Sequence, residues 1–391
     1  MDKIKLPTQR FEGIPTSGGI RDIVDIADRL EATGRTIYHL EIGRPDFDSP
    51  KTAKDAAKKA IDDGFVHYAD MRGVLELRQA LSRKLKRENG MDVSPENITV
   101  TVGAQAALTA SMMTLLNEGD DVIVPVPCFG AYPGACTILG ANMLSVRCKM
   151  EDGFILRARD VEPLVTDRTR MIVINSPNNP TGAVIPRSEM EGLAEIARKH
   201  DLLVVSDECY ERFLYGGTHV SIASLPGMSD RTVTVGSASK TYSMTGWRLG
   251  YMVTPPWMTS YANRTHLLMT TCAATFPQYG YAAALDGAEG DVKIMIEEYR
   301  ERRDLVAGYL RQMKPLDFAN PEGAFYILIS AARTGMDATE FCRYILEEAG
   351  VALVPGEAFS YPGFVRMAYC KPKDYLSAAM ESMKSAVAKL A

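Results

Sequence analysis

The chain has 391 residues, 46% of them hydrophobic and 24% charged, which excludes a disordered chain and suits one large domain plus a smaller one. The 44 basic residues against 49 acidic ones leave a formal net charge of −5, so nucleic acid and anionic membrane are not expected as partners. No run approaches the roughly 20 apolar residues that span a bilayer, and the opening residues lack the apolar core of a secretory leader. The seven scattered cysteines include no C-x-x-C pair, and the five histidines show no ligand spacing. A cytoplasmic protein with reduced thiols and no metal site is expected.

In chain order, residues 1–45 carry little periodicity and are expected to pack as an arm on a smaller C-terminal domain. From 46 to 285, short β-branched runs alternate with longer amphipathic stretches. Ile98–Val102, Asp121–Pro125, Met143–Arg147, Met171–Asn175, Leu202–Ser206, Thr232–Val235 and Leu249–Val253 read as strands, with helices over Ala104–Leu116 and Arg187–His200. Runs such as Met171-Ile172-Val173-Ile174 are apolar throughout, as strands buried on both faces are. The predicted class is α/β, with a mainly parallel seven-stranded sheet flanked by helices. Residues 286–391 change to an α+β pattern. A long polar helix over Val292–Gln312 leads to a strand run at Gly323–Ile329, a helix over Ala338–Ala349, short strands near Val351–Val354 and Val365–Ala368, and a helix from Lys373.

Six local features fall at predicted strand ends, where open parallel sheets bind ligands. At Gly103-Ala104-Gln105 a strand gives way at once to a helix whose free N–H groups could hold a phosphate. Phe129 stands in a proline-rich loop and could stack on a flat group or simply fill the core. Ser176-Pro177-Asn178-Asn179-Pro180-Thr181-Gly182 is a turn signal. Asp207, three residues before Tyr210, is either a helix N-cap or the charge partner of a protonated ring nitrogen. Lys240 in Ser237-Ala238-Ser239-Lys240 is either a surface charge or an amine that forms a Schiff base with a carbonyl group. Arg248, in Gly246-Trp247-Arg248-Leu249-Gly250, is either a structural ion pair or a phosphate fork.

Together and in this order, these motifs resemble the fold type I pyridoxal-phosphate enzymes, specifically the class I and II aminotransferases of the aspartate aminotransferase type. The resemblance runs from Gly43-Arg44-Pro45-Asp46-Phe47 to Arg366. It implies pyridoxal 5′-phosphate as cofactor, with Lys240 as the covalent amine and proton carrier and Asp207 on the ring nitrogen. Asn179 and Tyr210 would meet the phenolic oxygen, and Phe129 would stack on the ring. Gly103, Ala104, Gln105, Ser237, Ser239 and Arg248 would hold the phosphate, with Tyr68 reaching the partner's phosphate in a homodimer. Arg366, with Gly43 and Asn179 beside it, would hold the substrate carboxylate. The activity implied is transfer of an amino group from an L-amino acid, aspartate or aromatic, to a 2-oxo acid such as 2-oxoglutarate. The alternatives are a same-fold β-lyase or cyclase and, from another class, a non-catalytic regulator that binds the cofactor. Some aspartate-using relatives carry lysine where this chain has Gln105, so a dicarboxylate would need another cation, for which Arg21, Arg44 and Arg72 are candidates. Gly18-Gly19-Ile20 suggests a strip that closes over the substrate.

Overall fold

A computed structural model describes residues 20–390, with side chains from residue 23 onward. Gly18 and Gly19, singled out above, lie outside the described residues, as do the side chains of Ile20 and Arg21. Seven strands form one sheet: β1 (Ile98–Thr101), β2 (Asp121–Val126), β3 (Asn142–Arg147), β4 (Thr169–Asn175), β5 (Leu203–Asp207), β6 (Thr232–Ser237) and β7 (Gly250–Val253). Their order is β1-β7-β6-β5-β4-β2-β3, and only β7 runs against the others. β4 and β5 are buried on both faces by flanking helices, and Met171, Ile172, Val173 and Ile174 are wholly inaccessible. Each such side chain contributes about 2 kcal/mol by leaving water.

The carboxyl ends of β1, β2, β4, β5 and β6 and the amino end of β7 share one edge of the sheet, because β7 is reversed. All six predicted features lie along that edge. Helices over Gly103–Leu115 and Arg187–Lys199 match expectation within a residue. Helices over Lys51–Asp62, Leu75–Lys84, Pro256–Thr270 and Thr275–Gly287 were not foreseen. The first buries only alanines, Ala53, Ala57 and Ala60. An alanine stripe has little hydropathy contrast, and what gives it meaning is Gly280 of a distant helix, whose bare Cα leaves room for the Ala53 carbonyl.

A second, antiparallel sheet holds β8 (Asp317–Phe318), β9 (Tyr326–Ser330), β10 (Val354–Pro355) and β11 (Phe364–Ala368) in the order β10-β11-β9-β8. It shares a core with the helices Glu289–Leu310, Ala338–Ala349 and Lys373–Val387. Ile23 and Ala27 of an unforeseen helix, Ile20–Ala32, enter that same core, as do Ile37 and Leu40. Among the described residues no helix is long and apolar enough to cross a membrane.

Candidate active site

Along the shared edge lies a cavity of about 350 Å³. At one end the helix Gly103–Leu115 starts with no side-chain cap, so its first N–H groups are free, and Ala104 and Gln105 line the cavity. Gly103 has φ +73°, and a Cβ there would lie 2.6 Å from Arg248 Nη2; only glycine lets the guanidinium lie across the helix start. Arg248 Nη1 donates to Thr245 O at 3.1 Å, and among the described residues Arg248 has no acidic partner. Ser237 Oγ accepts from the Ser239 N–H and donates to Leu249 O. Its one hydrogen is spent on the backbone, whereas the Ser239 hydroxyl lines the cavity without a protein partner among the described residues.

Asp207 ends β5 with its carboxylate 2.7 Å from Tyr132 Oη and 3.1 Å from the Cys209 N–H, both donating to it. Burial pushes this carboxyl up despite both hydrogen bonds, so a cation beside it would be strongly favoured. Phe129 stands nearby, its ring edge-on to Tyr132 with centroids 6.0 Å apart. Tyr210 Oη lies 2.9 Å from Tyr326 Oη, and burial, then Tyr326, hold its phenol well above the usual range, so it remains a donor. Lys240 leaves the short helix after β6 and donates to Gly43 O at 2.7 Å. Burial, joined by Arg366 and Arg248, pushes its ammonium down from 10.5, toward the neutral amine that attacks a carbonyl.

Arg366 comes from β11 of the second sheet. Its guanidinium is sandwiched between the rings of Tyr326 and Phe359, 4.6 and 4.7 Å from their centroids. It donates to Asn179 Oδ1 at 3.2 Å and to Glu41 O at 2.5 Å. Its buried Nε has no partner among the described residues, a donor held for an anion.

The residues present fit pyridoxal phosphate. There is a cationic, N–H-lined cradle for a phosphate, a buried carboxylate for a ring nitrogen, a phenol and a free amide for a phenolic oxygen, and a lysine amine between them. Gly43, Ala104, Gln105, Phe129, Asn179, Asp207, Tyr210, Ser237, Ser239, Lys240, Arg248 and Arg366 all line this cavity, while Gly103 lies beneath Arg248. Tyr68 does not join them, being 87% exposed on the surface. Nor do two of the cations considered for a second carboxylate. Arg44 faces a separate cavity with Asp46 and Lys371, and Arg72 is tied to Asp70 and Glu96. The sequence reading missed Asn175 and Tyr326, which sit in strands whose apolar runs already account for them, and Tyr132 and Thr245, which lie in turn-rich stretches with no signal of their own.

Glu208 points away from Asp207 into a buried network behind the site. It accepts from Ser206, Ser221 and Asn89 and pairs with His219 at 2.9 Å. Burial would raise its carboxyl, yet His219 and the hydroxyls hold it below the usual value. Glu208, Glu211 and His219 bring three possible ligand atoms within 4.8 Å of one another, but the Lys84 ammonium is hydrogen-bonded to Glu211 there, with Asn89 beside it.

Residues 35–382 match the family described as aminotransferase class I and II. An aromatic-amino-acid aminotransferase of Thermococcus litoralis is 40% identical over 93% of this chain and 94% of its own. An aspartate aminotransferase of Pyrococcus abyssi has the same identity and coverage. The solved structure of Thermus thermophilus aspartate aminotransferase with maleate is 36% identical, covers 98% of this chain and all of its own, and superposes with a TM-score of 0.93.

Proposed function

Because the chain belongs to the class I and II aminotransferases, and is therefore a transaminase that uses pyridoxal phosphate, we propose that it moves the amino group of an aromatic amino acid or aspartate to a 2-oxo acid such as 2-oxoglutarate. The observation that favours the aromatic donor is a second cavity of about 630 Å³, which opens from the first past Gly43, Gln105, Phe129 and Arg366. Met113, Pro133, Ile138, Leu139 and Phe359 wall it, its acids are Glu41 and Glu357, and among the described residues Arg366 is its one cation. A donor whose α-carboxylate lies on Arg366 thus meets apolar surface with its side chain, and a second carboxylate would find no further cation there among the described residues.

When bound, pyridoxal phosphate supplies an electron sink for the charge that develops at the substrate Cα. Lys240 Nζ holds its aldehyde carbon and, as the neutral amine, carries the proton to and from Cα. Asp207 keeps the ring nitrogen protonated. Tyr210 Oη and Asn179 Nδ2 donate to the phenolic oxygen, Asn179 Oδ1 being already taken by Arg366. The N–H groups of Gly103, Ala104 and Gln105, the Ser239 hydroxyl and Arg248 hold the phosphate, and Ser237 serves by capping the lysine helix.

The enzyme works as a homodimer in which Tyr68 reaches the partner's phosphate. Tyr68 is exposed with no site of its own; Val66, Tyr261 and Leu268 are exposed apolar side chains as well, and Thr275 Oγ1 ties the Tyr68 segment down by donating to His67 O. Residues 46–285 act as the cofactor domain and 286–391 as a smaller domain carrying Arg366, and the described part of 1–45 packs on it through Ile23, Ala27, Ile37 and Leu40. Seven free thiols, six of them buried, suit the cytoplasm.

The test is absorption of the purified protein with pyridoxal phosphate, before and after aspartate, tyrosine and alanine. The visible band is expected to fall with tyrosine and return with 2-oxoglutarate. The kcat/KM for tyrosine should exceed that for aspartate about tenfold or more, from the cost of an unpaired carboxylate. A band that responds to aspartate and not to tyrosine would overturn the donor assignment. Asp207→Asn preserves shape and the Tyr132 contact but removes the charge. Its kcat is expected to drop roughly 10²-fold or more, with folding checked by circular dichroism.

A further inference from the structure

We propose that Tyr326 is a positioning residue that couples the carboxylate fork of Arg366 to the phenol of Tyr210. Its place in the fold carries this reading. β9 and β11 are antiparallel with Leu328 opposite Arg366, so Tyr326 and Arg366 are diagonal neighbours on one face. The Arg366 guanidinium lies over the Tyr326 ring, while the Tyr326 hydroxyl reaches the other sheet and meets Tyr210 Oη at 2.9 Å. No other polar group among the described residues contacts Tyr210 Oη.

The same ring fixes the chain that carries the lysine's acceptor. A Cβ on Gly43 would fall 2.0 Å from Tyr326 Oη, and it is the Gly43 carbonyl that receives Lys240 Nζ. One buried side chain therefore touches Tyr210, Arg366 and the Gly43 segment, and it bridges the two sheets.

Direction follows from the positions of the two cations. The Arg366 guanidinium lies 4.6 Å from the Tyr326 ring centroid, whereas the nearest cation to the Tyr210 ring, Lys240 Nζ, is 6.0 Å from its centroid. Arg366 strengthens the Tyr326 hydroxyl as the donor in the pair, which leaves the Tyr210 hydrogen for the cavity that Tyr210 lines. A carboxylate on Arg366 offsets the guanidinium charge, weakens the Tyr326 donor and makes Tyr210 a poorer one in turn. Carboxylate binding thereby raises proton affinity at the cofactor linkage.

The inference rests on the roles proposed above for Tyr210 and Arg366. The experiment titrates the visible band of the holoenzyme against pH, with and without 3-phenylpropionate, a non-reacting carboxylate. Tyr326→Phe keeps the ring and is expected to raise the midpoint by roughly half a unit to one unit, the worth of one buried hydrogen bond. It should also shrink the further rise caused by 3-phenylpropionate. On a Tyr210→Phe background the same change is expected to do nothing. A Tyr326→Phe midpoint equal to that of the wild type, or a shift that persists without the Tyr210 hydroxyl, overturns the coupling. A Tyr210→Phe protein that titrates like the wild type overturns the role of Tyr210 and the coupling with it. Calorimetry on the cofactor-free protein reads the ring separately. Affinity for 3-phenylpropionate should hold in Tyr326→Phe and fall about tenfold in Tyr326→Leu, which loses the cation–π contact. An unchanged affinity in Tyr326→Leu overturns that half of the proposal.

Discussion

Replacement of Lys240 by alanine is expected to lower transaminase turnover by roughly 10⁴-fold or more, because the covalent amine and the proton carrier are lost together. Lys240 Nζ makes one hydrogen bond, to Gly43 O, so the fold should survive its loss. The variant should also lack the visible band of a lysine-linked cofactor; full turnover in it would end the assignment. Stability carries an independent signature. The folded state depresses the Lys240 pKa below 10.5, through burial first. Between the depressed value and 10.5 the unfolded chain binds more protons than the folded one, so the cofactor-free wild type gains stability as pH rises through that window. Cofactor-free Lys240→Ala escapes this penalty. Its advantage over the wild type should be largest at neutral pH and shrink toward pH 10.5, as denaturant titrations at a series of pH values would read.

Arg366→Ala is the second large effect expected. Two charge-assisted hydrogen bonds to the substrate carboxylate are lost, about 3 kcal/mol or more, which corresponds to roughly 10²-fold or more in kcat/KM. Cofactor affinity should change far less, since Arg366 lies on the second sheet and its protein partners are Asn179 Oδ1 and Glu41 O. Arg366→Lys keeps the charge but not the planar fork, nor its fit between Tyr326 and Phe359, and should recover only part of the loss. Equal losses in cofactor and donor binding would show that Arg366 supports the cavity as a whole.

The sequence made the parallel sheet visible because strands buried on both faces must be apolar throughout, and Met171–Ile174 and Leu202–Val205 are. It also exposed residues that line the cavity, because each follows its strand by only a few positions. Asp207 closes β5, Lys240 stands three residues past the end of β6, and Ala104 follows the end of β1 by three. Such short separations leave the chain little freedom, so position along the sequence nearly fixes position in space. The helices over Lys51–Asp62 and Thr275–Gly287 were less legible. Their shared surface is built from alanine and glycine, and small residues announce neither burial nor period.

What the sequence determined by itself was therefore chemistry carried by local order: the fold class, the cofactor and the residues within a few positions of a strand end. Tertiary structure alone decided what depends on segments far apart in the chain. It set Tyr326 between Arg366 and Tyr210, spent the Ser237 hydrogen on the backbone, turned Arg44 and Arg72 away from the site, and opened an apolar cavity beside Arg366. The Tyr326 contacts and the apolar cavity have no local signature, because they bring together side chains from distant segments, and only the packing of the two sheets against each other sets those distances.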